Sequence, residues 1–298
     1  MSQCPYPYNI SKPKPASCPN PNNHRRLALA RSWLKRTGNR HLSIAVWTDG
    51  LSLCRVCLKE FGDFLETFSK RITELEASGR QFSSFIPCLP NLISLAFSFP
   101  DTWIECIKTK FPSLRSLNYG ASSLRLRYYA TDNCILFPKP CTLAAPWNQL
   151  TTLVTGPAVY VFWETILTSC PNLESLVFHF SKELNSDQPC SIDTHMVHLV
   201  NLTVIAPELH FVRLFNGIHT PALRTLRLGG DLLFPHPVVG LSSQQHFHDQ
   251  ICGIRRLSIL NSHHEHIDVI ASTIFCHADH VEELDLSATL EGRITRRI

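Results

Sequence analysis

The stretch that decides the fold is Pro171-Asn172-Leu173-Glu174-Ser175-Leu176-Val177-Phe178. Its pattern, Pro-x-Leu-x-Ser/Thr-Leu, returns in the segments 90–97, 112–117 and 221–228. Proline stops a helix and favours extended geometry in the residue before it, so a short strand should begin after each proline. Because side chains alternate along a strand, Leu176 and Phe178 should share one face. The chain is therefore a series of repeats that each contribute one strand.

Degenerate copies of the pattern extend this series through most of the chain. Apolar residues three apart predict nine units, and the steps between their first members range from 20 residues, Ile72 to Leu92, to 36 residues, Leu114 to Leu150. The short steps match the roughly 20 to 29 residues of a leucine-rich unit, whereas the long steps imply insertions or a missed unit. The predicted pairs are Ile72/Leu75, Leu92/Leu95, Leu114/Leu117, Leu150/Leu153, Leu173/Leu176, Leu202/Ile205, Leu223/Leu226, Ile254/Leu257 and Val281/Leu284.

Helical periodicity precedes many of the predicted strands. Residues 24–37 place Leu27, Ala30 and Leu34 on one helical face, with Gly38 where a C-cap belongs, and residues 52–69 continue the same period. Later helices are indicated by Trp103, Ile107 and Phe111, by Val159, Phe162, Ile166 and Cys170, by Phe211, Leu214, Phe215 and Ile218, and by Ile267, Ile270 and Ile274. The predicted fold class is α/β, a leucine-rich-repeat solenoid with irregular repeats and a parallel sheet on its concave face.

The predicted domain organisation has three parts. Residues 1–24 contain six prolines and should form a disordered basic tail, residues 25–40 a linking helix, and residues 41–298 the leucine-rich-repeat domain. Insertions of a solenoid generally emerge as loops, often at the binding face. The segments that fit no repeat are 120–147, 181–200 and 229–253. The strand residues expected to point into the core include Leu95, Phe97, Leu176, Phe178, Leu226, Leu228, Leu257, Leu284 and Leu286.

Charge and cysteine content narrow the classes of partner and compartment. Only 17% of the 298 residues are charged, against about 25% in a typical globular protein. Residues 1–48 carry eight basic and no acidic side chains, but a solvated tail is the commoner role of such an arm, so a nucleic-acid partner is not favoured. With no signal peptide and no apolar run of about 18 residues, we expect no membrane partner, a cytoplasmic or nuclear location and mostly free thiols for the 12 cysteines.

Residues 31–44 carry a resemblance to a known family. The sequence Arg31-Ser-Trp-Leu-Lys-Arg-Thr-Gly-Asn-Arg-His-Leu-Ser-Ile44 resembles the Trp-Leu-x-Arg-Ser-Gly-x-x-Pro-Leu-Ser-Leu segment of the large fungal F-box proteins with leucine-rich repeats. The Pro-Asn-Leu-x-Ser-Leu units are similar to that family's repeats, so the likeness covers roughly residues 25–298. It implies a non-catalytic protein-interaction module, the substrate-recognition part of a ubiquitin-ligase receptor.

The chain also departs from that family. His41 stands where the family has proline, and no Leu-Pro-x-Glu-x-Leu F-box precedes Trp33. We therefore expect this chain not to bind the F-box adaptor subunit, which would need an upstream F-box, and to be a truncated gene product or a stand-alone binding scaffold. Part of the apolar surface of Leu27, Leu29, Trp33 and Leu34 should then be solvent-exposed or cover the end of the solenoid. An unknown protein ligand is expected on the concave face or the insertion loops.

Possible catalytic and metal-binding motifs are weak. The motif Cys54-Arg-Val-Cys57 stands alone, whereas a zinc site would need a second Cys-x-x-Cys. Two cysteines that face the core explain this motif better. The cluster His263-His264-Glu265-His266 with Cys276, His277 and His280 meets no fixed ligand spacing, although a metal-dependent enzyme stays the less favoured alternative. Buried packing at helix-to-strand corners is expected for Cys88, Cys170 and Cys276. Gly229-Gly230-Asp231 is too short for a phosphate loop. The sequence thus predicts no catalytic, cofactor-binding or metal-binding residue.

Overall fold

Eleven segments of the chain are described by the structure, which is a computed structural model. These segments are residues 21–47, 55–78, 86–98, 110–119, 147–158, 160–180, 193–210, 218–233, 253–261, 280–288 and 292–297. Most of the predicted insertion 120–147, much of 229–253 and the helix expected over 267–274 lie outside them.

Three α-helices lie in the described segments: α1 (Pro21–Arg36), α2 (Arg55–Thr67) and α3 (Tyr160–Ser169). Helix α1 begins four residues before the boundary predicted at 24/25, because proline fits the first turn of a helix, where its missing N–H costs no hydrogen bond. It ends before Gly38, whose φ of 62° is the left-handed conformation of a helix C-cap, as predicted. A short 3-10 helix spans Trp147–Gln149.

Thirteen described strands form two sheets. They are β1 (Leu42–Trp47), β2 (Ile72–Ser78), β3 (Ser94–Ser98), β4 (Ser116–Tyr119), β5 (Thr152–Ala158), β6 (Ser175–Phe180), β7 (Thr194–His195), β8 (Asn201–His210), β9 (Ile218–His219), β10 (Thr225–Leu233), β11 (Arg256–Asn261), β12 (Glu283–Ala288) and β13 (Gly292–Arg297). The large sheet has the order β1-β2-β3-β4-β5-β6-β8-β10-β11-β12-β13, and β7 pairs with β9 separately. Ten strands of the large sheet are parallel, and β13 pairs antiparallel with β12, which the sequence did not predict.

The repeated leucines set the register of the parallel sheet. Leu95 pairs with Leu117, and the same position continues through every later parallel strand to Leu284. Leu176 and Phe178 of β6 are buried and alternate with half-buried residues, as the spacing predicts. Seven of the strand residues expected in the core are buried: Leu95, Leu176, Phe178, Leu226, Leu228, Leu257 and Leu284. The burial of Phe97 and Leu286 lies outside what the structure describes.

One predicted repeat pair is wrong by three residues. Leu202 pairs with Leu176 and Leu226, so it holds the second position of its unit, and the buried Leu199 holds the first. The predicted second member, Ile205, is only half-buried. The steps from Leu173 to Leu199 and from Leu199 to Leu223 are then 26 and 24 residues, which replaces the predicted 29 and 21. The corrected unit is more regular than the predicted one.

Three further expectations about loops and helices are corrected. Ile218, placed in a helix by the sequence, begins strand β9 and is buried. The predicted insertion 229–253 begins inside β10, which continues to Leu233. Within 181–200, strand β7 and the buried Met196 and Leu199 also belong to the folded part of the chain. Strands β7 and β9 could not be predicted because a two-residue strand is too short to show an alternating pattern.

The hydrophobic core lies on one face of the large sheet, and all three described helices contribute residues to it. Trp163 and Ile166 of α3 belong to the same buried cluster as Leu176, and so does Leu65 of α2. Trp163 packs edge-on against Phe178 at a centroid distance of 5.1 Å, so it joins Ile166 and Cys170 of the predicted helical face in the core. In the described part of the chain, no helix has the length and apolar character needed to span a membrane.

Candidate functional site

The face of the sheet opposite the core is built by the residues between the buried leucines. Its first row contains the Ser/Thr position of the repeat pattern: Ser94 pairs with Ser116, Ser116 with Thr152, and Thr152 with Ser175. None of these four side chains is buried. The four hydroxyl groups form one continuous row across β3, β4, β5 and β6, which we call the hydroxyl row. The motif therefore encodes both a core position and a surface position.

Charged residues flank the hydroxyl row on both sides. Strand β2 contributes Glu74 and Glu76, of which Glu74 pairs directly with Ser94. At the other side the same row passes through Asn201 and Thr225 to Arg256 and Glu283. The second row of the face, two residues further along each strand, contains Val154, Val177, Thr203, Arg227, Ser258 and Asp285. The face is thus neutral at its centre and charged at its margins.

A hollow of about 380 Å³ lies on this face, above strands β6, β8, β10, β11 and β12. Side chains of both rows line it, and they combine hydroxyl, amide, apolar and charged groups of both signs. The lining includes Val177, Thr203, Arg227, Arg256, Glu283 and Asp285. Its floor is the sheet itself, so the hollow is a feature of the regular fold and requires no loop to form it.

The charged side chains of the hollow differ in whether they form ion pairs or hydrogen bonds with their neighbours. Arg256 Nε lies 3.3 Å from Glu283 Oε2, and both side chains are more than half exposed, so this pair contributes little to stability. Ser258 Oγ lies 3.5 Å from Asp285 Oδ2, whereas the buried Asp285 Oδ1 accepts no hydrogen bond. Arg227 is exposed and makes no hydrogen bond or ion pair to a described residue. Arg227 therefore keeps bonding capacity for a ligand, whereas Asp285 Oδ1 is too buried for a ligand on this face to reach it.

The cysteines singled out by the sequence have different environments. Cys57 is buried in α2, as the packing interpretation of Cys54-x-x-Cys57 requires, and Cys54 lies outside the described residues. Cys170 is buried at the corner between α3 and β6, as predicted, and burial raises the pKa of its thiol to about 12. The prediction for Cys88 is wrong: this residue is exposed, because its Sγ turns outward to the carbonyl of Lys110, 3.3 Å away. Cys276 is not among the described residues.

The remaining sequence candidates do not converge on a site in the described part of the chain. Residues 263–266, 276 and 277 lie outside it, and His280 is exposed. Gly230, part of the weak Gly-Gly-Asp segment, is in strand β10 with a φ of 115°, where a side chain would overlap the carbonyl oxygen of Ala206. Glycine is required there by close strand packing. One group of possible metal ligands, Asp193, His195 and His219, lies on the separate two-stranded sheet.

Helix α1 presents a second, apolar surface. Leu34 is buried and Leu27 packs partly against the core, whereas Leu29 and Trp33 are 64% and 65% exposed. The expectation that part of this apolar surface is solvent-exposed is confirmed.

Sequence reasoning missed the residues of the hollow for two reasons. The hydroxyl row was visible as the Ser/Thr of the motif, but its function as a surface row follows only from the strand register. Arg227 and Asp285 occupy variable positions of the motif, where the sequence pattern carries no information. In comparisons with known proteins, no protein-family model, curated protein or solved structure matches the chain.

Proposed function

We propose that this chain is a non-catalytic protein-recognition module that binds a polypeptide ligand on the exposed face of its sheet. The observation that carries the proposal is the hollow above β6, β8, β10, β11 and β12, in which the exposed Arg227 has unused hydrogen-bonding capacity. A guanidinium group costs free energy when it is left unpaired in a dry interface, so a bound partner has to supply its complement.

The proposal includes a leucine-rich-repeat arrangement. In support of it, the strands of the parallel series pair in chain order, apart from the short β7 and β9. The N–H of Glu174, just before β6, donates to Thr151 O of the preceding unit, and the N–H of Val200 donates to Glu174 O in turn. Asn172 Nδ2 likewise donates to Asn148 O at 2.7 Å. Such unit-to-unit contacts suit a stack of repeats whose exposed strands serve as a binding surface.

The chemistry of the face suggests what the ligand is like. Small hydroxyl side chains of the hydroxyl row and Val177 let another chain approach closely, while Arg227 suits a carboxylate and Asp285 suits an N–H or a cationic group. The described residues of the two rows include the acids Glu74, Glu76, Glu283 and Asp285 besides Arg227 and Arg256, which disfavours nucleic-acid phosphates. We infer a polypeptide segment that carries both an acidic and a donor group.

The wider biological assignment rests on the resemblance to fungal F-box proteins. It makes this chain the substrate-recognition part of a ubiquitin-ligase receptor, with adaptor binding dependent on an upstream F-box. A cytoplasmic or nuclear location is part of the proposal, and it is supported by the free thiol of the buried Cys170, which suits a reducing compartment.

Affinity capture with matched variants tests the proposal. Wild type, the double variant Arg227→Ala/Asp285→Asn and the control Lys59→Ala, an exposed change on α2, would be used as baits in an extract after cross-linking. We expect a defined set of polypeptide partners with wild type and Lys59→Ala, and at least a tenfold weaker titration of the leading partner with the double variant. Equal capture by all three baits, or no partner above background, would contradict recognition through this face.

A further inference from the structure

The two-stranded sheet brings two histidines from distant parts of the sequence side by side. Strand β7 pairs with β9 in parallel, with Thr194 opposite Ile218 and His195 opposite His219. The N–H of Met196 donates to His219 O at 2.8 Å, and the side chains of Met196 and Ile218 are buried in the core. The backbone positions of both histidines are therefore fixed by hydrogen bonding and by packing on either side.

The side chains of this pair form a compact cluster with a carboxylate. The rings of His195 and His219 are stacked at a centroid distance of 4.5 Å with an interplanar angle of 14°. Asp193 Oδ1 lies 3.5 Å from His219 Nε2. One ligand atom from each of the three residues falls within 4.8 Å of the others. Asp193 and His195 are exposed and His219 is half-buried, so the cluster is open to ions from solvent.

These dimensions approach those of a metal centre. In a tetrahedral site with bonds of about 2.0 to 2.1 Å, neighbouring ligand atoms are separated by about 3.4 Å. The Asp193–His219 pair is already at that separation. His195 has to move closer, and its exposed ring can do so by rotation about its side-chain bonds without disturbing the paired backbone. The fixed backbone and the exposed ring of His195 together suit ion capture.

We propose that Asp193, His195 and His219 bind a divalent transition-metal ion with the ligand preferences of Zn²⁺. Two imidazoles and one carboxylate are a donor set that zinc accepts, and three protein ligands leave a fourth position for water or for a group from a bound partner. This site is independent of the sheet-face hollow, and it departs from the sequence-based expectation that the protein has no metal ligands. That expectation considered the Cys54-x-x-Cys57 motif and the cluster of residues 263–280, but not these three residues.

Titration of the full chain with Co²⁺, followed by its visible ligand-field absorption, tests the site. We expect the wild-type protein to bind one equivalent with the absorption of a four-coordinate ion, and Zn²⁺ to displace it. His195→Ala and His219→Ala should each weaken binding at least tenfold. His198→Ala, which removes an exposed histidine on the same segment, is the matched control and should bind as wild type does.

Two results would overturn the site. One is the absence of saturable Co²⁺ binding by the wild-type chain, and the other is equal binding by wild type and His195→Ala/His219→Ala, which would assign the ion to other residues. Circular dichroism of each variant monitors folding. If His219→Ala does not fold, Asp193→Asn and His195→Ala decide the question, because both change exposed side chains.

Discussion

At the scale of single residues, burial controls the chemistry of the thiols. Cys170 is fully buried between α3 and β6, and desolvation raises its pKa from 9.0 to about 12, so the thiol stays protonated at neutral pH. A thiol of this kind is a poor nucleophile. Cys170 therefore acts as a small apolar side chain.

The raised pKa of Cys170 predicts a loss of stability in alkali. The Cys170 thiol ionises near pH 9.0 in the unfolded chain and near pH 12 in the folded one. The stability that the protonated thiol gives the folded state is therefore complete below about pH 9, and it is lost as the pH rises towards 12. Chemical denaturation should show the advantage of wild type over Cys170→Ala shrinking above pH 9, by up to about 1.4 kcal/mol per pH unit. A constant difference between about pH 8 and about pH 11 would rule this out.

Thr155 is a buried hydroxyl with a structural function. The β5–β6 register shifts between Val154 and Pro157, and Thr155 Oγ1 there accepts the N–H of His179 at 3.3 Å. The near-isosteric Thr155→Val removes that acceptor and should lower the free energy of unfolding by about 1 to 2 kcal/mol. The control Thr152→Val, on the exposed face, should change it by less than about 0.5 kcal/mol. Equal effects of the two changes in urea denaturation would argue against this role.

At the scale of elements, the corrected register of β8 predicts which apolar residues matter. Leu199 is completely buried, whereas Ile205 lies on the exposed face and is half-buried. Leu199→Ala should therefore lower the free energy of unfolding by about 2 to 5 kcal/mol, and Ile205→Ala by less than about 1 kcal/mol. Denaturant unfolding of the two variants decides between the registers, because the pairing of Leu202 with Ile205 predicts the opposite order.

The contact between β8 and β10 depends on Gly230. With a φ of 115° and the Ala206 carbonyl oxygen at the place of a Cβ, Gly230→Ala forces backbone movement at a central strand pair. We expect a loss of about 3 kcal/mol or more, or failure to fold. Gly38→Ala is the control, since its φ of 62° carries strain without any atom nearby and should cost about 1 to 2 kcal/mol. Thermal denaturation that ranks Gly38→Ala as the more damaging change would contradict this.

Much of the sheet could be predicted from the sequence where proline fixes the start of a unit, as at Leu173 and Leu176. The unit of Leu202 could not be placed in this way, because Leu199, Leu202 and Ile205 are each three residues apart and the spacing alone allows two registers. The hydroxyl row was present in the motif, but its function depended on strand pairing. The cluster of His195 and His219 left no local pattern, since its members lie 24 residues apart and meet only through β7 and β9.

At the scale of the whole molecule, each strand of the large sheet bonds only to its neighbours in the series. If the series is the stack of repeats proposed above, its stability is close to a sum over adjacent units, and a substitution should destabilise only the strands near it. Leu284→Ala in β12 should speed amide exchange in β11 to β13 and leave β2 to β4 unchanged. Leu176→Ala, at the centre, should lose about 2 to 5 kcal/mol and speed exchange in β5, β6 and β8. Uniformly faster exchange in both variants, measured by mass spectrometry, would show a single cooperative unit.

The first row of the exposed face also sets the distance between the two charged margins. From Glu74 on β2 to Arg256 on β11 the first row makes seven steps between strands, which at about 4.8 Å each amount to roughly 34 Å along the sheet. Gaining or losing one repeat would change that separation by a single step while leaving neutral hydroxyls in between. If the chain binds a ligand as proposed, the number of strands in the series would select a ligand that touches both charged margins by its length as well as by its chemistry.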